Sequence, residues 1–313
     1  MTGERTVAGL QVVGLGLASL DVLLRLSDMP TWQRGTRLSA FALDGGGPAA
    51  TAMAAAARLG ARAGFVGTAG NDVAAKIKID SLARDGVDLS RLVIRDEPED
   101  QVIVVCVDAS TGERVFSGLE SLGRNQLRPD ELDRDYITSA DYLHLEGFHY
   151  DAALQAAKWM RDAGKTVVLD AGSTSGTVGD GTRRLLGYVD VLICGSGFAP
   201  GLTGRSDPFE AGRAALASGP RIVVQTEGAA GSYTVTANEA FHTPAFVVDV
   251  VDTTGAGDVF HGAYIVGLLH GWDLPAVAQF ASAVAAIKCT RLGGRAGIPT
   301  LPETLAFLKE KDR

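Results

Sequence analysis

The sequence predicts an α/β fold of three layers, helices covering a mostly parallel central sheet, with a smaller β-sheet set apart from it. Three observations carry that expectation. Short apolar strand-like runs alternate with helix-length segments over most of the chain. Two further strand-like runs, Leu38–Asp44 and Val102–Asp108, have no helix beside them. A glycine-rich turn, Asp252-Thr253-Thr254-Gly255-Ala256-Gly257-Asp258, leads from an apolar run into a helical pattern.

Val12–Gly16 reads as a short buried strand ending at Leu17 to Asp21. The alanine-rich stretch Ala49 to Leu59 is a helix stopped by Gly60, and Ala63–Gly67 is the next strand. A helix around Ala74 to Asp85 precedes Gly86. Val102–Asp108 continues through Ala109-Ser110-Thr111-Gly112 into Glu113–Ser117, a hairpin pattern. Strands Tyr142–Leu145, Thr166–Asp170, Val189–Ile193 and Arg221–Gln225 then alternate with helices Ala152 to Ala163 and Pro208 to Ala217, the rhythm of a parallel sheet. Phe246–Val251 reads as a buried strand, with helices after Gly257 and from Leu274 to Thr290. No repeat or low-complexity linker divides residues 1–313, which read as a single domain.

Composition narrows the function. With 46% hydrophobic and 21% charged residues, the chain has an ordinary globular make-up. A net charge of −8 without any dense Lys/Arg run excludes a nucleic-acid backbone binder. No apolar run is long enough to span a bilayer, and the first residues lack a signal-peptide layout. Cys106, Cys194 and Cys289 are odd in number, widely spaced and set in apolar contexts, which suits reduced core thiols and a cytoplasmic location.

The turn at Asp252–Asp258 carries the chemistry. A helix N-terminus offers free N–H groups and the positive end of a dipole, so it favours an anion. Glycines let backbone approach a phosphate, and Asp258 in the first turn can take a proton from a nearby hydroxyl. Those are the parts of phosphoryl transfer to an alcohol. Chemistry alone leaves a second reading open, in which Asp258 serves only the helix end.

Asp252 to Gly262 resembles the C-terminal signature of the ribokinase (PfkB) family of carbohydrate kinases. Gly45-Gly46-Gly47-Pro48-Ala49-Ala50-Thr51-Ala52 to Leu59-Gly60 resembles that family's N-terminal signature, and the similarity runs over nearly the whole chain. The resemblance implies a ribokinase-like αβα fold, with a β-lid contributed by about residues 22–44 and 100–120 that often pairs two subunits into a homodimer. It implies ATP and a small sugar as ligands, with Mg2+ and a possible K+ beside them. Asp258 would act as the base, and the N–H groups of Gly255, Ala256 and Gly257 as the anion hole. Asp21 and the backbone of Gly45, Gly46 and Gly47 would meet the sugar. Thr226, Gly228 and Gly231 would meet the nucleotide phosphates and ribose, and Ser282 the adenine. Asp252 and Thr254, with carbonyls near Lys288, Arg291, Gly293 and Gly297, would cage a monovalent cation. His261, one turn beyond Asp258, reads as a packed or capping residue.

The chain departs from the family at Gly195-Ser196-Gly197-Phe198, where many relatives carry Asn-x-x-Glu. Motif detail is most similar to the sulfofructose kinase branch, yet a basic residue expected after the central strand is absent and Glu146 stands in that region. Tyr142–Gly147 also resembles ketohexokinases. A neutral ketose or pentose, fructose-like, is therefore the expected substrate. The alternatives are an anionic sugar such as sulfofructose or 2-keto-3-deoxygluconate, reached by Arg37, Arg114 or Arg124, or a non-catalytic regulator. A dinucleotide-binding reading of Gly14-Leu15-Gly16-Leu17-Ala18-Ser19 fails at Ser19, which replaces the third glycine. No Gly-x-x-x-x-Gly-Lys-[Ser/Thr] motif is present.

Overall fold

A computed structural model describes residues 9–174 and 176–311. The chain opens with β1 (Val12–Leu15), β2 (Ser19–Leu26) and β3 (Leu38–Gly46) before α1 (Pro48–Arg58). Next come β4 (Ala63–Val66), β5 (Thr68–Ala69), α2 (Val73–Arg84), β6 (Val93–Ile94), β7 (Val102–Asp108) and β8 (Arg114–Gly118). The α/β alternation follows as α3 (Arg134–Ser139), β9 (Tyr142–Leu145), α4 (Tyr150–Asp162), β10 (Thr166–Asp170) and α5 (Asp180–Leu186). It continues through β11 (Val191–Gly195), α6 (Phe198–Thr203), α7 (Pro208–Ala215) and β12 (Ile222–Thr226). The last elements are β13 (Ser232–Thr236), β14 (Ala240–Thr243), α8 (Ala256–Leu269), α9 (Leu274–Lys288) and α10 (Leu301–Lys311).

The main sheet has the order β14-β13-β12-β11-β10-β9-β1-β4, parallel except where β13 and β14 turn back at one edge. Its strands are apolar on both faces, as parallel strands covered by helices must be. Val168 packs with α1, α8 and α9, while its neighbours Val167 and Leu169 pack with α4 and α5 on the other side. The C-terminal ends of β1, β9, β10, β11 and β12 lie along one edge, where an open α/β sheet places its ligand.

Two helices on one face are fitted closely. Six alanines of α1, from Ala49 to Ala56, are fully buried, and Gly262 of α8 meets the Ala52 carbonyl so tightly that a methyl there would overlap it. This contact sets the glycine turn before α1 beside the one before α8.

The small sheet has the order β3-β2-β7-β8, with β2 and β7 parallel and the outer pairs antiparallel. Its register separates two faces. Asp21, Leu23, Ile103, Val105, Arg114 and Phe116 share the face toward the main body, whereas Val22, Leu24, Phe41, Leu43, Val104 and Val115 share the outer one. Among the described residues no helix is long and apolar enough to cross a membrane.

Two expectations change. Phe246–Val251 forms no strand: Pro244 ends β14, and the run crosses irregularly with Val247 87% exposed. A proline supplies no ladder donor, so the apolar residues beyond it line a cleft instead of extending the sheet. Asp21 does not end the first strand either, since the chain re-enters extended structure at Ser19 and places Asp21 third in β2.

Candidate active site

A cleft of about 1030 Å3 runs between the small sheet and the C-terminal edge of the main sheet. Asp258 lines it from the first turn of α8, next to Gly255, Ala256 and Gly257. Gly255 adopts φ +74°, and its α-carbon side faces Gly294, where a side chain would come within 2.9 Å of that residue's backbone. The glycine is needed for both reasons. The Ala256 N–H donates to the Thr253 carbonyl at 3.2 Å and so closes the turn. The expected set of donors therefore shifts: Ala256 is engaged within the turn, and the N–H groups of Gly255 and Gly257 remain for an anion.

Five carboxylates line this cleft, Asp21, Glu113, Glu146, Asp170 and Asp258, and burial is the main cause of the shifts at Asp21, Glu146, Asp170 and Asp258. The Asp258 carboxyl is pushed up to about 7, first by burial and then by the negative charge of Asp170, against the pull of Lys288, Arg114 and Arg295. Burial raises Asp170 to about 6, although the Gly172 N–H donates to it at 2.7 Å. Asp21 rises to about 6, offset by the Ser19 hydroxyl, which donates to it at 2.6 Å, and by Arg295. Glu146, at the end of β9, reaches about 7 while accepting the N–H groups of Leu17 and Phe148. These carboxyls would release protons near neutrality, where a general base is most useful.

The glycines before α1 divide their work. Gly46 and Gly47 line the cleft, and a methyl on Gly46 would overlap the Asp21 carboxylate. Gly45 lies behind them and leaves room for the buried Arg295, which donates to the Gly46 carbonyl at 2.6 Å. Arg295 thus braces the turn that carries Asp21's neighbour.

The other end of the cleft is narrower in chemistry. Thr226, Gly228 and Gly231 line it at the end of β12, together with Ser282, Ala285, Ala286 and Cys289 from α9 and the run Ala245 to Val248. Gly231 has φ +90° and packs against the Thr243 carbonyl. One polar end and one apolar slot suit a flat heterocycle joined to phosphates. The variant segment at Gly195 has a packing role: Phe198 is buried as the first residue of α6, and Gly195 leaves space for the Ser173 side chain. In that segment the Ser196 hydroxyl donates to Glu227 at 2.6 Å.

The residues assigned to a monovalent cation do come together, but below the cleft. Asp252 is fully buried, and its two carboxylate oxygens accept the N–H groups of Thr254 at 2.8 Å and Gly293 at 2.7 Å. The Lys288 ammonium, also fully buried, donates to the Asp252 carbonyl at 2.9 Å. Gly297 packs on the Lys288 carbonyl, while Arg291 is exposed. With a lysine nitrogen on the Asp252 carbonyl, these residues do not fit a free K+.

Sequence reasoning passed over one residue lining the cleft, Asp170, and read Arg114 only as an arginine reaching an anionic sugar from the lid. Asp170 was visible only as a strand end, although a carboxylate at the C-terminal end of a parallel strand is a usable signal. Arg114 reaches from β8 and donates to the Thr253 hydroxyl at 3.1 Å, and Thr253 in turn donates to the Gly112 carbonyl of the hairpin at 3.1 Å. The small sheet is thereby fastened to the turn before α8. His261 is buried, stands 3.4 Å from His144 and 3.8 Å from the Asp170 carboxylate, and lines the cleft.

Comparison with known proteins agrees with this geometry. The family model described as pfkB family carbohydrate kinase matches residues 11–301. An ATP-dependent ribose-1-phosphate kinase of Halopiger xanaduensis is 31% identical over 301 residues, covering 96% of this chain and 99% of the relative. Arabidopsis thaliana ribokinase, solved with ribose and ATP, superposes with a TM-score of 0.81 at 25% identity, over 96% of this chain and 99% of the other. A ribokinase II candidate from E. coli, solved with ATP and Mg2+, gives a TM-score of 0.83 at 25% identity over the same shares. The chain therefore belongs to the pfkB family of carbohydrate kinases, as an ATP-dependent sugar kinase.

Proposed function

We propose that the protein transfers the γ-phosphoryl group of ATP to a hydroxyl of a small neutral sugar, a ketose or pentose. The observation that carries this reading is Asp258 in the first turn of α8, facing the same cleft as Asp21 and the Gly46-Gly47 turn. Asp258 takes the proton of the attacking hydroxyl, and the N–H groups beside it stabilise charge on the transferred group. Asp21 accepts hydrogen bonds from sugar hydroxyls, while Thr226, Gly228 and Gly231 hold the nucleotide. Mg2+ supplies charge screening of the phosphates, and Asp170 and Glu227 are the residues that would hold it, through water. Arg114, fixed to Thr253, adds positive charge at the point of transfer.

The charge of the lining favours a neutral sugar. Asp21, Glu113, Glu146, Asp170 and Asp258 line the cleft, against Arg114 as the one lysine or arginine among its lining residues. An anionic substrate would meet net repulsion there. A second reading rests on the same Arg114 together with the relative named as a ribose-1-phosphate kinase, in which the arginine neutralises a phosphate or carboxylate of the sugar. We infer further that the outer face of the small sheet pairs with a second copy. Phe41 and Val115 are 59% and 55% exposed there, on the face that also carries Val22, Leu24, Leu43 and Val104, and an apolar sheet face of that kind calls for a partner.

The test is ADP release with magnesium across fructose, ribose, 2-keto-3-deoxygluconate, sulfofructose, ribose 1-phosphate and nucleosides. Fastest turnover on a neutral sugar supports the first reading. Turnover confined to the anionic sugars replaces it with the second.

A further inference from the structure

Lys288 is a fully buried lysine without a carboxylate in direct contact among the described residues, an arrangement that demands an explanation. It closes α9, where the helix dipole favours a cation. Its ammonium reaches 2.9 Å from the Asp252 carbonyl. That carbonyl belongs to the first residue of the turn that ends in Asp258. The same stretch is held to the end of α9 by the N–H groups of Val251 and Asp252, both donating to the Cys289 carbonyl at 2.9 and 3.2 Å. Asp252 then passes the constraint forward through Thr254 and sideways through Gly293, the residue before Gly294 on which Gly255 rests.

We propose that the Lys288 ammonium is a covalently attached replacement for a monovalent cation beneath the anion-binding turn, so that this kinase works without K+. The physical case is one of position and charge. A cation at that point fixes the Asp252 carbonyl and places positive charge under a turn that must receive phosphate, whether the charge is an ion or an ammonium. Lys288 provides it at a fixed distance, and no dissolved ion has to be gathered and ordered. A free cation seated on the same carbonyl would be repelled by the ammonium already there. Lys288 is accordingly a positioning residue, acting through Asp252 on the turn.

The experiment compares the native enzyme with Lys288→Ala and Lys288→Met at constant ionic strength in choline, sodium, potassium and ammonium chlorides. Two quantities are read: the melting temperature, which needs no turnover, and kcat/KM for ATP with whichever sugar is accepted. The inference rests on the kinase reading only for the second, so failure to find a substrate leaves the melting arm to decide. The native protein should vary less than about twofold in kcat/KM and hold its melting temperature across the four salts. Lys288→Ala, which leaves space, should lose about tenfold or more in choline and regain activity and melting temperature saturably with potassium or ammonium. Lys288→Met, which fills the space without charge, should lose activity and regain nothing. Saturable activation or stabilisation of the native protein by potassium would overturn the proposal, and this arm stands if the variants do not fold. So would a folded Lys288→Ala that no cation restores, since Lys288 would then be a packing residue.

Discussion

Lowering the pH should silence this enzyme well above the range where an ordinary aspartate would, and Asp258 is the reason. A base acts in its deprotonated form, and the Asp258 carboxyl is held at about 7 by burial and by Asp170. The sign follows directly: kcat/KM climbs as pH rises to about 7 and levels above it. One pH unit below that point about one molecule in ten carries the active form, and at pH 5 about one in a hundred. An aspartate at its ordinary value would still be roughly nine-tenths ionised at pH 5. Lys288, Arg114 and Arg295 oppose the upward shift, and Asp170, Glu146 and Asp21 titrate nearby, so the acid limb should be at least as steep as a single proton predicts. Asp258→Asn should lower kcat about 10^2- to 10^4-fold and remove the limb. Asp170→Asn should move the limb to lower pH by taking away the repelling charge. Phosphorylated sugar is best measured directly by chromatography, because coupling enzymes fail near pH 5. A flat kcat/KM from pH 5 to 8, or an Asp258→Asn enzyme within tenfold of the native rate, would refute the reasoning.

Three further outcomes are expected. Gly46→Ala puts a methyl into the Asp21 carboxylate, so KM for the sugar should rise about tenfold with KM for ATP unchanged, as steady-state kinetics would show. Gly262→Ala wedges α8 away from the Ala52 carbonyl of α1 and should cost about 1–3 kcal/mol in a denaturant titration. Phe41→Glu places a charge on the outer face of the small sheet and should turn a dimer into a monomer in light scattering; unchanged mass would remove that face as the contact.

Much of this molecule was legible because local signals coincide with tertiary needs. The strands Tyr142–Leu145 and Thr166–Asp170, the alanine helix before Gly60 and the hairpin at Ala109–Gly112 all form where periodicity and turn residues place them. The turn Asp252–Asp258 was readable for the same reason, since glycine and an early carboxylate mark a helix start that receives an anion. The misreadings arise where long-range geometry decides. Phe246–Val251 has the composition of a strand, but beyond Pro244 no neighbouring strand offers it a ladder, and its side chains line the cleft. Asp21 reads as the end of one strand because the three residues between Leu15 and Ser19, Gly16 to Ala18, do not announce a second. The sequence leaves the Ala256 N–H among the free donors because nothing in a linear pattern shows the turn in which the Thr253 carbonyl takes it. Lys288 was read for its backbone, and nothing in a linear pattern shows a side chain folding back onto Asp252.

The brace from Arg295 to the Gly46 carbonyl spans 249 positions of the chain. On a ribosome adding about 5–20 residues per second, the two ends of that bond are made roughly ten to fifty seconds apart. The sugar-side turn therefore emerges early and must wait for its support, for the base and for the nucleotide slot, all of which come from the last third of translation. A nascent chain, or one cut short, holds no assembled site. The cell is thus spared a half-made kinase that hydrolyses ATP to no purpose, and the protein becomes active only when almost all of it has been built.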